Sequence, residues 1–254
     1  MNAQPTDQAR QRLDELLVQR GHFPSRSRAR DAVLRGTVSV AGAIARKPGQ
    51  QTLASASIEL ADEARGYVSR AALKLIAGLD AFRLDPAGAD CLDIGASTGG
   101  FTQVLLERGA GHVVAVDVGH GQLHETLTAD QRVTNLERLN ARDLGEEHLG
   151  GHRPDFVVSD VSFISLKLAL PPALSLALPG ARCVLLVKPQ FEAGREAIGK
   201  GGILRDAALG PRIADDLASW LDAQTGWRAL GTVPSPIEGG DGNHEFLLAG
   251  VKDR

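Results

Sequence analysis

Short apolar runs alternate with segments of helical spacing along most of the chain. Such alternation is typical of βα units, whose strands form a parallel sheet with helices packed on its faces. Seven runs have the length and composition of strands, and they cover residues 91–94, 112–118, 132–137, 155–159, 182–187, 229–233 and 245–251. We therefore predict an α/β fold for the body of the chain, with one doubly wound, mostly parallel, seven-stranded sheet.

The first sixty or so residues follow a different pattern. Three leucines fall on one face of a predicted helix that Gly21 ends, namely Leu13, Leu16 and Leu17. Ser25 is placed to cap a second helix over residues 26–35. Strand-like alternation at residues 37–40 and 57–60, with a turn at residues 41–42, completes a small α+β unit.

The boundary between the two patterns falls near Tyr67. Ser69 is the expected cap of the first helix of the larger domain, and this helix is predicted to run to about Phe82. The predicted organisation is a domain at residues 1–64, a linker at residues 65–70 and a domain at residues 71–254.

Composition excludes several classes of protein. Of the 254 residues, 43% are hydrophobic and 23% are charged, which is typical of a folded globular chain and not of a disordered one. The longest apolar stretch, residues 166–181, is interrupted by a lysine and three prolines, so no membrane-spanning helix is expected. The polar first residues do not resemble an export signal, and Cys91 and Cys183 lie in apolar runs. We expect a soluble cytoplasmic protein with packed thiols.

The net charge of −3 conceals an uneven distribution. Residues 1–74 carry 12 basic against 7 acidic residues, or +5, whereas the other 180 residues carry 16 against 24, or −8. A basic head suggests an acidic partner, although a solvated charged surface explains the excess equally well. Phe23 is the only Phe, Trp or Tyr in residues 1–66, so contacts with phosphates are favoured over stacking on bases. The candidate RNA-binding residues are Arg12, Arg26, Arg28, Arg30 and Arg35.

A glycine-rich segment follows the first predicted strand of the larger domain. It runs Asp93-Ile94-Gly95-Ala96-Ser97-Thr98-Gly99-Gly100-Phe101, and its glycine spacing is neither the dinucleotide fingerprint nor a Walker loop. Asp117 closes the next strand, where a carboxylate can accept both ribose hydroxyls of an adenosyl ligand. Asn140 follows the third strand, where it can face an adenine edge or simply cap a turn. The pattern indicates an adenosine cofactor without identifying it.

Four charged residues form a second, dispersed set: Lys74, Asp160, Lys188 and Glu245. Asp160 and Lys188 each follow an apolar strand at the sheet edge that the glycine-rich segment also occupies. Charged groups directly after buried strands are costly unless they are paired, which favours a shared site over four separate surface ion pairs.

These residues resemble known families. Leu13-Asp14, Gly21, Ser25-Arg26, Gly36 and Val38-Ser39-Val40 are similar to the small RNA-binding fold of ribosomal protein S-four. The glycine-rich segment with Asp117 and Asn140 resembles the S-adenosylmethionine site of Rossmann-like class I methyltransferases. The ordered Lys74, Asp160, Lys188 and Glu245 set resembles the FtsJ-type 2′-O-ribose methyltransferases. Nearly the whole chain resembles the TlyA, or haemolysin-A-like, family of rRNA methyltransferases.

The resemblance implies methyl transfer from S-adenosylmethionine to a ribose 2′-hydroxyl, at a cytidine of ribosomal RNA or of a ribosomal subunit. The implied cofactor-binding residues are Asp93, Gly95, Ser97, Thr98, Gly99, Gly100, Phe101, Asp117, Asn140 and Asp160. Lysine, with a usual pKa of about 10.4, becomes a base only beside another cation or when buried. We therefore expect Lys188 to be the base and Lys74 to be its neighbouring cation and to orient the ribose. Asp160 is expected to hold Lys188 and the sulfonium end of the cofactor, and Glu245 to orient Lys74.

Other interpretations are weaker. A catalytically silent RNA-binding assembly factor would not need all four charged residues, and a nicotinamide-dependent oxidoreductase would need another glycine spacing. A haemolysin would need a membrane-active segment. His120 and His124 have a helical ligand spacing but no third ligand, so no metal is expected. The sequence gives no reason to expect an obligate protein partner.

Overall fold

The computed structural model describes residues 9–253, which form two compact units that divide after Gly66. The first unit contains β1 (Arg10–Arg12), α1 (Leu13–Gln19), α2 (Arg26–Leu34), β2 (Val38–Val40), β3 (Ala43–Ile44), β4 (Gln51–Leu53) and β5 (Ile58–Leu60). The second contains α3 (Ala72–Phe82), β6 (Asp90–Ile94), α4 (Gly100–Glu107), β7 (His112–Asp117), α5 (Glu125–Thr128), β8 (Val133–Glu137), β9 (Phe156–Ser159), α6 (Leu166–Ala169), α7 (Pro171–Leu176), β10 (Arg182–Val187), α8 (Pro189–Glu192), α9 (Leu209–Asp222), β11 (Trp227–Pro234) and β12 (Phe246–Lys252).

In the first unit, two helices pack on short antiparallel strands, with β1 paired to β4 and β2 between β3 and β5. The predicted cap of α2 is confirmed, since the Ser25 hydroxyl accepts a hydrogen bond from the Arg28 amide at 3.3 Å. The β2–β3 hairpin turns through Ala41 and Gly42 with φ of +50° and +79°. Positive φ at both central residues is the type I′ pattern that matches strand twist, and Gly42 adopts it without a steric penalty, unlike Ala41.

Residues 10–12 directly precede the predicted first helix, and the sequence pattern did not predict a strand there. They form β1, which pairs in antiparallel register with Gln51–Leu53. All three β1 side chains are polar, so the segment lacks the apolar alternation that identifies a strand.

The second unit is built on one seven-stranded sheet in the order β11-β12-β10-β9-β6-β7-β8. The five strands from β10 to β8 are parallel, and β12 runs antiparallel to both of its neighbours. Every predicted strand is present, and the α/β fold prediction is confirmed. One apolar layer joins the sheet to α3 and α4, and the other joins it to α6, α7 and α9.

Cys91 and Cys183 lie in opposite layers as free, buried thiols, as predicted. Burial raises the pKa of both thiols, which keeps them protonated and unreactive. No helix within residues 9–253 combines the length and apolar character needed to cross a membrane.

The first helix of the second unit begins later than predicted. Helix α3 starts at Ala72, and Ala71 at its N-cap supplies no side-chain hydrogen bond. The Ser69 hydroxyl instead accepts from the Ala71 amide at 3.2 Å, which forms a serine turn before the helix. Ser69 is therefore not the cap, whereas the predicted helix end at Phe82 is confirmed.

Candidate active site

Strand order places a crevice between β6 and β9. The chain proceeds from β6 outward to β7 and β8 and then returns to β9 on the other side of β6. The loops that follow β6 and β9 therefore leave the sheet in opposite directions, which opens a ligand site at the carboxyl ends of these strands. The glycine-rich segment follows β6 and Asp160 follows β9, so the fold brings these two predicted elements together.

Glycine is required at three positions of the segment for different local reasons. Gly95 has φ of +84°, and a Cβ there would lie 2.9 Å from the backbone nitrogen of Val161. At Gly99, with φ of +95°, a Cβ would lie 2.2 Å from Leu127, and at Gly100 it would lie 2.8 Å from Ser69. Gly95 thus permits the close approach of the two loops, while Gly99 and Gly100 let the loop pack on its neighbours.

A cavity of about 450 Å³ opens beside this loop. Five predicted cofactor-binding residues line it, namely Gly95, Ser97, Asp117, Asn140 and Asp160, together with the apolar side chains of Val118, Leu139, Val161 and Ile164. A smaller adjoining space of about 70 Å³ is lined by Thr98, Gly100 and Phe101. Among the predicted cofactor-binding residues, Gly99 and Asp93 line neither of these two spaces.

Asp117 is held by the loops on both sides of it. Its Oδ2 accepts from the Ser97 amide at 2.8 Å and its Oδ1 from the Gly119 amide at 2.6 Å. Hydrogen bonds from backbone amides orient the carboxylate and still leave each oxygen able to accept from a ligand hydroxyl.

Glu137, at the end of β8, organises the neighbouring loop. Its carboxylate accepts from the amides of Gly121 and Gln122 and contacts Nδ1 of His120. These hydrogen bonds, that from Gly121 foremost, lower the pKa of Glu137 to about 2. Sequence reasoning missed this residue, although an acid that ends a strand beside the Asp117 strand was a usable signal.

Asp93 lies beneath the glycine-rich segment and is fully buried. Its Oδ2 accepts from the Thr102 hydroxyl at 2.7 Å, while its Oδ1 has no hydrogen-bond partner among the described residues. Burial raises the pKa of Asp93 to about 7. Asp93 therefore supports the glycine-rich segment from beneath, through its hydrogen bond with Thr102.

Asn140 caps a turn, which is one of the two roles that the sequence left open for it. Its Oδ1 accepts from the Arg142 amide at 3.1 Å and caps the turn Ala141–Asp143, although the residue also lines the cavity. His124 likewise caps α5 through Nδ1. Within residues 9–253, no group of three or more His, Cys, Asp or Glu side chains is arranged to hold a metal ion.

The four dispersed charged residues converge on a second cavity of about 480 Å³. Lys74 Nζ contacts Glu245 Oε2, and these side chains are only 7% and 2% exposed. Lys188 Nζ lies 2.7 Å from Asp160 Oδ1, and these side chains are 10% and 19% exposed. Burial raises the pKa of Glu245, and the charge of Lys74 opposes that effect. The site thus contains two lysine–carboxylate pairs, each neutral as a pair.

Ser162 and Phe163 complete the site, and sequence reasoning missed both. Lys188 Nζ donates to Ser162 Oγ at 2.6 Å. Phe163 is 90% exposed and its backbone has φ of +66°. The centroid of its ring lies 5.1 Å from that of Phe191. Asp160, Ser162 and Phe163 line both the cavity beside the glycine-rich segment and this second cavity, and they form the common wall of the two.

The predicted RNA-binding arginines of the first unit differ in their exposure and in their contacts. Arg12 and Arg26 contact the buried Asp14 at 3.0 and 3.3 Å, but Arg26 stays exposed, as does Arg30. Arg28 donates to the Ala64 carbonyl at 3.0 Å.

Arg35 is 17% exposed at its side chain and pairs with Asp31 and Asp62, each at 2.9 Å. These contacts give Arg35 a structural role within the unit. Arg26 and Arg30 are thus the predicted positions most open to a partner.

Two family models match the chain: an FtsJ-like methyltransferase model over residues 67–252 and an S4 domain model over residues 11–55. A 16S/23S rRNA (cytidine-2′-O)-methyltransferase named TlyA, from Mycobacterium tuberculosis, is 47% identical over 241 residues, which cover 94% of this chain and 89% of that protein. This chain belongs to the TlyA family of FtsJ-like methyltransferases.

Other members of the TlyA family carry a hemolysin name. Hemolysin A of Brachyspira hyodysenteriae is 40% identical over 93% of this chain and 98% of its own length. The solved structure of a protein designated a hemolysin from Streptococcus thermophilus is 40% identical, with a TM-score of 0.74 over 96% of this chain and 88% of that one. The family resemblance stated from the sequence is therefore confirmed.

Proposed function

We propose that this TlyA-family chain transfers a methyl group from S-adenosylmethionine to a ribose 2′-hydroxyl of ribosomal RNA, alone or within ribosomal subunits, in the cytoplasm. The observation that carries the proposal is the common wall of Asp160, Ser162 and Phe163 between the first and second cavities of the candidate site. A donor in one cavity and an acceptor in the other would meet at this wall. The cytidine-2′-O activity for which the Mycobacterium tuberculosis relative is named supports cytidine as the target nucleoside.

The first cavity fits the proposed cofactor. Its volume of about 450 Å³ lies in the range of small-molecule sites, and it combines apolar walls with two carboxylates. Asp117 would accept the ribose hydroxyls, Asn140 would face the base, and Asp160 would lie near the positive charge. S-adenosylmethionine, when bound, supplies an electrophilic methyl group on a positively charged sulfur.

Lys188 would take the proton of the attacking hydroxyl. A ribose hydroxyl is a weak nucleophile, so proton removal and alignment supply most of what the protein can contribute. Asp160 faces both cavities, so its carboxylate would be shared between Lys188 and a cation bound in the first cavity.

The Lys74–Glu245 pair would orient the ribose. Its buried contact fixes the lysine beside the second cavity, where an N–H can donate to a ribose oxygen. Phe163 would present its exposed ring to the target base. Arg26 and Arg30 of the first unit would contact RNA phosphates.

Methyl transfer with ribosomal subunits and with free rRNA, followed by mapping of ribose methylation, tests the proposal. Lys188→Met should abolish transfer while S-adenosylmethionine affinity, measured by calorimetry, stays within a few-fold of the wild type. Lys167→Met on the exposed surface of α6 is the matched control and should keep full activity. Methylation of a base, or retained activity in Lys188→Met, would refute the proposal.

A further inference from the structure

Ser162 is the least buried of the polar groups around the Lys188 amine. Three oxygens surround Nζ: Ser162 Oγ at 2.6 Å, Asp160 Oδ1 at 2.7 Å and the Asp160 carbonyl oxygen at 3.3 Å. The shortest of these contacts is that with the Ser162 hydroxyl, and Ser162 lines both cavities.

The three oxygens differ in what they can do once Lys188 loses a proton. A carboxylate and a carbonyl oxygen only accept hydrogen bonds, so an amine lone pair directed at either of them is repelled. A hydroxyl both donates and accepts, so Ser162 can reverse its hydrogen bond and donate to the neutral amine. The lone pair of a neutral Lys188 is thus most stable when it faces Ser162.

From this geometry we propose that Ser162 is a catalytic residue that relays the proton of the ribose 2′-hydroxyl to Lys188. The inference rests on the proposed function. As the ribose oxygen forms its bond to the methyl carbon, its O–H bond breaks and the proton passes to Ser162 Oγ. The original Ser162 proton passes at the same time to Nζ, so neutral Lys188 becomes an ammonium ion and the serine hydroxyl is regenerated.

The location of Ser162 supports this path. The hydroxyl belongs to the wall between the cavity proposed for the methyl donor and the cavity that contains the lysines. The Lys188 side chain is only 10% exposed, so a hydroxyl on a more open residue offers the shorter route from a bulky RNA substrate. Neither partner needs to move far, because the Nζ–Oγ contact already has hydrogen-bond length.

The test compares Ser162→Ala and Ser162→Thr in the full-length chain, with ribosomal RNA or subunits as substrate. The relay predicts that Ser162→Ala lowers kcat by about 100-fold, in the range of general acid–base contributions, with little change in KM. It also predicts that calorimetry gives an unchanged Kd for S-adenosylmethionine. Ser162→Thr keeps a hydroxyl and should recover at least one tenth of wild-type kcat. Ser219→Ala, on the exposed surface of α9, is the control and should behave as wild type.

Two results would overturn the relay while leaving the proposed function intact. One is a kcat for Ser162→Ala within threefold of wild type, since Lys188 would then accept the proton directly. The other is a kcat for Ser162→Thr no higher than that for Ser162→Ala, since the hydroxyl would then be irrelevant. A wild-type chain that fails to methylate ribose would instead overturn the proposed function, and the relay with it. Equal melting temperatures exclude misfolding as the cause of any loss.

Discussion

Removing one partner of the Lys74–Glu245 pair should destabilise the second unit, whereas removing both should not. Both side chains are almost fully buried, so a single substitution leaves an uncompensated charge in the protein interior. The appropriate variants are Lys74→Met and Glu245→Leu, singly and together, because these apolar side chains approximate the shapes that they replace.

The size of the effect follows from burial. Breaking a buried pair by removing one partner costs about 3–5 kcal/mol, whereas replacing both partners with apolar residues of similar volume is often neutral or stabilising. The coupling energy in a double-mutant cycle, which compares the double variant with the sum of the two single variants, should therefore be about 6 kcal/mol or more. The Arg108–Asp80 pair has a contact of 2.9 Å, but its side chains are 39% and 57% exposed. The same cycle at that pair should give no more than about 1 kcal/mol.

Urea denaturation followed by tryptophan fluorescence is a suitable assay. The chain has two tryptophans, and both Trp220 and Trp227 belong to the second unit, so the signal reports the unit that contains the pair. The double variant should be stable but inactive. Single variants that each cost less than about 1 kcal/mol, or a coupling energy equal to that of the exposed pair, would refute the reasoning.

Three further predictions concern single positions. Because the pKa of Asp93 is raised from 3.8 to about 7, its ionised form is disfavoured in the folded state, and its contribution to folding stability should fall by about 3 kcal/mol between pH 4 and pH 7. Asp93→Asn should flatten that dependence in urea titrations, and an unchanged slope would contradict the cause. Gly95→Ala should weaken S-adenosylmethionine binding at least tenfold by calorimetry, because its Cβ would clash with Val161; unchanged affinity would exclude the close approach. Ala41→Asn should stabilise the first unit by about 1 kcal/mol in thermal melts, since Asn tolerates positive φ better than Ala, and a lower melting temperature would contradict the turn assignment.

The strands of the sheet were predictable because they are buried on both faces. Each presents a run of apolar residues, such as residues 183–187, that stands out against the polar loops. The cap at Ser25 was predictable for a similar reason, since capping depends on residues only a few positions apart. Strand β1 was not, because its pairing with β4 involves residues about forty positions later.

The candidate site was predictable only in part. Asp160 and Lys188 were predictable because a charged residue directly after a buried strand is costly unless it is paired. Lys74 and Glu245 were predictable because the ordered set of four resembles that of the FtsJ-type methyltransferases. Ser162 and Phe163 carry no charge, and a serine and a phenylalanine after a strand look like ordinary loop residues. The pairing of Arg35 with Asp62 was not predictable, because the fold and not helical spacing brings these two residues together.

The wall shared by the two cavities also has a thermodynamic consequence. Asp160, Ser162 and Phe163 would contact the ligands in both cavities, so occupancy of one cavity changes the surface that the other presents. By linkage, whatever factor the methyl donor contributes to RNA affinity, RNA must contribute equally to the affinity for the methyl donor. After transfer, the loss of positive charge beside Asp160 would change that factor, so that departure of the demethylated cofactor and release of the methylated RNA become coupled events.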